Sequence, residues 1–158
     1  MNVEFKIRPC DKASDRRGLE RLELPEKYIR QYTNSSPLFF TLKLLGLCSN
    51  HLYVMTPPDG PEIIGTILLR KRLQGFWPKT VWKIHAVGVV EQLRGKGLGM
   101  ALMKYALEQL RELGAREVSL KVDADNDPAI GLYRKLGFTE QARLNGQIIF
   151  LKRVNQAA

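Results

Sequence analysis

The chain has 158 residues, which suits one domain over 1–158; folding at this length hides roughly 70% of the unfolded surface without a metal or disulfide staple. Apolar residues make up 44% and charged residues 26%, which excludes a disordered tail, a collagen-like repeat and a membrane-spanning chain. Lys and Arg number 25 against 16 Asp and Glu, leaving +9, so a polyanionic partner is expected: nucleic acid, an anionic surface or a phosphate-rich cofactor.

The opening MNVEFKIRPCDKASDRR is charged throughout and lacks the apolar centre of a signal peptide. Cys10 and Cys48 lie far apart and fit neither a metal pair nor a disulfide framework. A reducing, cytoplasmic setting is expected, with no membrane partner and no metal. Val3, Phe5 and Ile7 alternate as a strand ended by Pro9. Ser14 to Tyr32 reads as one or two short helices broken near Pro25. Ser36-Pro37 caps a helix over Leu38–Leu47 that is apolar on nearly every side, which predicts core or a pocket wall containing Phe39 and Phe40.

His51–Met55 and Ile63–Leu69 form a hairpin around the turn residues Thr56–Pro61. A loop over Gly75–Lys79, containing Trp77, leads to a long extended run, Val81–Val90. Gly97–Leu113 has helical spacing and Gly114 closes it. Val118, Leu120 and Val122 alternate as the next strand, and Asp127-Pro128 opens a short helix closed by Gly137. Asn145-Gly146 joins a final hairpin. The order predicts an α/β (α+β) fold with a mixed, mostly antiparallel sheet and a parallel unit from Val81 to Val122.

The segment Arg94-Gly95-Lys96-Gly97-Leu98-Gly99 follows an apolar strand and opens an amphipathic helix. Glycines let the backbone approach an anion closely, and the helix N-terminus directs N–H groups at it. Arg94 and Lys96 add two full charges. No Ser or Thr follows Gly99, which excludes a Walker A loop, and the glycine spacing departs from the Rossmann pattern.

This loop resembles the pyrophosphate loop of the GCN5-related N-acetyltransferase (GNAT) superfamily. Val87-Gly88-Val89 before it, and Asn126, Ala129, Leu132-Tyr133 and Gly137-Phe138 after it, resemble the family's other signatures in the same order. The likeness covers residues 63 to 140, while residues 1 to 50 match only in element pattern. It implies six or seven strands, about four helices and a splay between strands 4 and 5. It further implies acetyl-coenzyme A (coenzyme A) as cofactor. Backbone N–H groups of Arg94, Gly95, Lys96, Gly97, Leu98 and Gly99 would hold the pyrophosphate. Val87, Gly88 and Val89 would pair with the pantetheine arm, Asn126 would touch it, and Tyr133 would act as general acid for the departing thiolate.

A neutral amine must attack, so an acceptor of pKa ~10 needs a base. No acid lies between Glu62 and Glu91, and His85 is the one side chain on that strand suited to the task at neutral pH. Strict alternation places Val81, Lys83, His85 and Val87 on one face; on this reading His85 is the base, through water. Lys83 on that face either repels a cationic acceptor or anchors an anionic one, whereas His51 reads as structural. Two further function classes stand beside N-acetyl transfer to a small-molecule or peptide amine. One is transfer to a nucleic-acid-linked amine such as aminoacyl-tRNA, using Arg70, Lys71, Arg72 and Lys79; the other is a non-catalytic acyl-coenzyme A binding module. The resemblance also suggests a homodimer.

Overall fold

The strand-and-turn pattern around Thr56–Pro61 builds the antiparallel half of the sheet. The computed structural model describes residues 4–11, 13–20, 22, 41, 43–74 and 79–154. Within them β1 (Lys6–Pro9) pairs antiparallel with β2 (Ser49–Thr56), β2 with β3 (Gly65–Gln74), and β3 with β4 (Lys79–Val89). A short 3₁₀ turn, Glu91–Leu93, and the glycine-rich loop lead into α2 (Leu98–Glu112). The chain returns as β5 (Glu117–Asp123), parallel to β4. Next come α3 (Asp127–Lys135), β6 (Thr139–Leu144) and β7 (Gln147–Arg153), with β7 inserted beside β5. The seven-stranded order is β1-β2-β3-β4-β5-β7-β6, the mixed sheet expected from the sequence.

Each face of the sheet carries its own apolar layer. On one face α2 buries Leu98, Leu102, Met103, Ala106 and Leu110, its 3.6-residue stripe. α3 adds Ile130 and Tyr133, and the sheet answers with Ile67, Leu69, Trp82, Ile84, Val118, Leu120, Val122, Ile148 and Phe150. Gly65 permits this approach, because a Cβ there would lie 3.0 Å from Leu102 Cδ1 and 3.1 Å from the Gly88 carbonyl oxygen. On the other face Leu19 of α1 (Arg16–Glu20) packs with Leu52, Val54, Ile63 and Leu68. Arg8 of β1 forks onto buried Asp15 at 2.7 Å through each nitrogen, and Asp11 N–H adds a third bond to that carboxylate at 2.9 Å.

The helix expected to be core differs in its described part. Leu44 and Leu45, on its last turn before Gly46, are exposed. The remaining expectations over 23–40, including Phe39 and Phe40, lie outside the described residues, as does Trp77. Among the described residues no helix is long and apolar enough to cross a membrane.

Candidate active site

β4 and β5 pair only at Trp82–Val118, Lys83–Ser119 and Ile84–Leu120. Beyond that point β5 keeps its partner β7 and β4 keeps β3, so the two parallel strands part. Among the described residues the segment from Ala86 to Val89 therefore pairs with no strand on its β5 side. An extended polar chain can add there as a strand does, since each peptide unit offers one donor and one acceptor.

A β-bulge lies beside this gap. Leu68 pairs with His85 and Thr66 with Gly88, so Ala86 and Val87 together face Ile67. Ala86 adopts φ +50°, a left-handed conformation costly for a residue with a Cβ. The fully buried Thr66 hydroxyl donates to the Ala86 carbonyl at 3.1 Å and braces the bulge. The bulge overturns the strict alternation expected for β4. Val87 and Val89 pack with the helix-side layer, as Ile84 and Trp82 do, whereas Ala86 packs with the opposite layer. His85 and Val87 thus lie on opposite faces, because the extra residue reverses the two-residue period.

The loop after β4 is shaped for an anion. Gly95 and Gly97 take φ +76° and +83°. Gly97 caps α2 without any side-chain hydrogen bond, leaving the first N–H groups of the helix to a ligand. A Cβ on Gly97 would meet nothing within 4 Å, so the glycine serves conformation and access rather than packing. Arg94 and Lys96 are exposed beside these groups, while Leu98 anchors the helix start in the core. Arg94 Nε donates to the Val89 carbonyl at 3.1 Å, so this carbonyl already has a protein partner. Two left-handed glycines, an uncapped helix N-terminus and an unpaired strand edge together fit the pyrophosphate and amide arm of coenzyme A.

Tyr133 and Asn126 come from α3. Tyr133 is buried among Phe138 and Phe150, with ring centroids at 6.0 and 6.1 Å, and burial pushes its hydroxyl up to about 12. It shares the helix-side layer with Val87. Asn126 caps α3, its Oδ1 accepting from Ala129 N–H at 3.2 Å, which leaves the amide NH₂ as its donor.

His85 belongs to the other side of the gap. There a cavity of about 1070 Å³ runs along β4, β5 and β7, lined by His85 with Lys83, Ser119, Lys121, Ile149 and Leu151 among others. Lys121 and Ser119 were not singled out in the sequence, although their alternation with buried Leu120 and Val122 marks them as facing away from the helices. His51 is structural, with its ring bonded to Ser49 Oγ at 3.1 Å and 5.8 Å from Trp82. Burial pushes the Cys10 thiol up to about 12, contrary to what a nucleophile needs. Among the described residues no cluster of three His, Cys, Asp or Glu residues is placed to hold a metal.

The family model for the acetyltransferase (GNAT) family matches residues 15–138. An N-alpha-acetyltransferase from Sulfurisphaera tokodaii is 37% identical over 130 residues, covering 77% of this chain and 71% of that protein. A mycothiol acetyltransferase from Corynebacterium efficiens is 41% identical over 85 residues, 54% of this chain and 27% of that protein. The chain spans about a quarter of the length of that protein. The structure of Arabidopsis thaliana NAA60 in complex with a bisubstrate analogue superimposes with a TM-score of 0.67 at 26% identity, covering 97% of this chain and 99% of that one. The same plant protein in complex with acetyl-CoA gives 0.66 at 26% identity, covering 95% and 98%.

Proposed function

Because the chain belongs to the acetyltransferase (GNAT) family, we propose that it transfers an acetyl group from acetyl-coenzyme A to a primary amine by direct attack. The observation that carries this reading is the parting of β4 from β5 after Ile84–Leu120, with the glycine loop at the end of the unpaired edge. Backbone groups from Val87 to Val89 hold the amide arm, and N–H groups from Arg94 to Gly99 hold the pyrophosphate, with Arg94 and Lys96 countering its charge. The Asn126 NH₂ donates to the arm. When bound, acetyl-coenzyme A supplies the electrophilic carbonyl and a thiolate leaving group.

The bulge divides the labour between the two faces of the sheet. Tyr133, which shares the helix-side layer with Val87, would direct its hydroxyl hydrogen at the sulfur. His85 reaches the gap from the cavity face and takes the proton of the acceptor ammonium through water. The hydrogen bond to the thiolate and the removal of the amine proton would thus come from opposite faces of the sheet. The name of the Sulfurisphaera relative, an N-alpha-acetyltransferase, supports an α-amine as acceptor.

Thermal unfolding with acetyl-coenzyme A, NAD and ATP in parallel tests the cofactor. At 100 times its dissociation constant a ligand adds about 2.7 kcal/mol, or about 5–10 °C for a domain of this size. A rise with acetyl-coenzyme A alone is expected, and its absence overturns the reading. In a thiol-release assay on a peptide amine, His85→Ala should climb steeply with pH from 6 to 9, tracking free amine, while the wild type levels off. Identical profiles would remove His85 from the base role.

A further inference from the structure

We propose that the acceptor carries an anionic group, a carboxylate or a phosphate, that seats between Lys83 and Lys121 above Ser119. The inference rests on the transfer reading above and names the acceptor class for that site. Lys83 pairs with Ser119 across the parallel strands, and Lys121 follows Ser119 by two residues on the same face. Strand spacing and rise put the two lysine Cα atoms about 8 Å apart, close enough for both ammonium groups to reach one anion. Both line the cavity that His85 also lines, opposite the face buried by Ile84, Leu120 and Val122.

Among the described residues three further cations edge this cavity, but each is placed differently. The Lys71 ammonium lies 6.0 Å from the Trp82 ring, Arg153 stands opposite Glu117 in the β5–β7 ladder, and Arg116 sits at the far end in the loop before β5. Lys83 and Lys121 form no ion pair among the described residues. Among the described residues Glu117 is the single acid lining the cavity, four residues along β5 from Lys121 and thus about 13 Å away. His85 follows Lys83 by two residues, about 7 Å along β4. An anion on the lysine pair therefore stands a few bonds from the reacting amine, the spacing between an α-amine and an acidic side chain. A second cation on the acceptor would meet two like charges instead.

The test uses the full chain and thiol release. Peptides of one length beginning with Glu, Gln or Lys form one arm; the α-carboxamides of glutamate, glutamine, O-phosphoserine and serine, which lack the α-carboxylate, form the other. Acidic acceptors should exceed their neutral counterparts by tenfold or more in kcat/KM, and the arm that shows the ratio identifies a peptide or a small molecule as source. Lys83→Met and Lys121→Met should bring the ratio to near one, and Lys121→Glu should invert it towards the Lys peptide. Each variant should keep the acetyl-coenzyme A thermal shift, which shows that it is folded. Equal rates on acidic and neutral acceptors overturn the proposal, as does a ratio that survives both substitutions. If no amine is acetylated, calorimetry with coenzyme A present decides. Tighter binding of the α-carboxamide of N-acetylglutamate than of the α-carboxamide of N-acetylglutamine, lost in Lys83→Met, upholds the anion site while the transfer reading fails; equal binding overturns the anion site.

Discussion

Tyr133 carries its hydroxyl into an apolar layer, and desolvation raises its pKa to about 12. A coenzyme A thiol of ordinary pKa ~8.5 is then the stronger acid, so complete proton transfer from Tyr133 would run uphill. On the proposed reading the hydroxyl, protonated near neutrality, would act as a hydrogen-bond donor to developing thiolate. Tyr133→Phe keeps the ring contacts with Phe138 and Phe150, so stability should change by less than about 1.5 kcal/mol. Turnover should nevertheless fall about 100-fold with little change in KM for acetyl-coenzyme A. Thiol release and thermal melts of both proteins check this, and wild-type turnover would leave Tyr133 as core packing. The residue stands out in the sequence through Leu132-Tyr133 and Gly137-Phe138, but its burial against β7 depends on a strand inserted out of chain order.

At the scale of elements, local turn chemistry was legible and the site's central irregularity was not. Asn145-Gly146 announces its hairpin because both residues accept positive φ, and they adopt +52° and +74°. The Gly97 helix start and Gly114 stop announce α2 in the same way. Ala86 sends no such signal, since alanine is an ordinary strand filler and its left-handed φ is imposed by the ladder with β3. Alternation read through it therefore misplaces Val87 relative to His85. The gap depends likewise on where β4 and β5 cease to pair, a tertiary fact. Because Thr66 braces the bulge, Thr66→Val should cost about 2 kcal/mol by removing a buried hydrogen bond at nearly constant volume. That corresponds to a drop of about 4–8 °C in the melting midpoint. Turnover should fall further than stability alone explains, as Val87 and His85 lose their fixed relation across the sheet. A Thr66→Val protein with wild-type melting and turnover would show that the ladder holds the bulge unaided.

For the molecule as a whole, the two layers are unequal. The helix-side layer holds most of the large buried residues, whereas the described part of the other consists of Leu19 and four sheet residues with a few partly buried neighbours. The thinner layer is tied down by polar chemistry at its edge, where Arg8 of β1 clamps Asp15 beside α1. The hydrogen bonds from Arg8, then that from Asp11 N–H, hold the Asp15 carboxyl below the usual carboxylate range against the cost of burial. A carboxylate with a depressed folded-state pKa adds stability that is complete above its unfolded pKa of about 3.9 and disappears as pH falls through the folded value. Asp15→Asn should therefore cost about 2 kcal/mol at pH 7, a figure discounted because Arg8 is partly exposed. The difference between the two proteins should narrow steadily below pH 4. The net positive charge destabilises both at low pH and cancels in the comparison. Urea unfolding of wild type and Asp15→Asn at pH 7, 5 and 3 measures that difference directly. A gap that stays constant or widens towards pH 3 would mean that the ionised clamp does not secure this face.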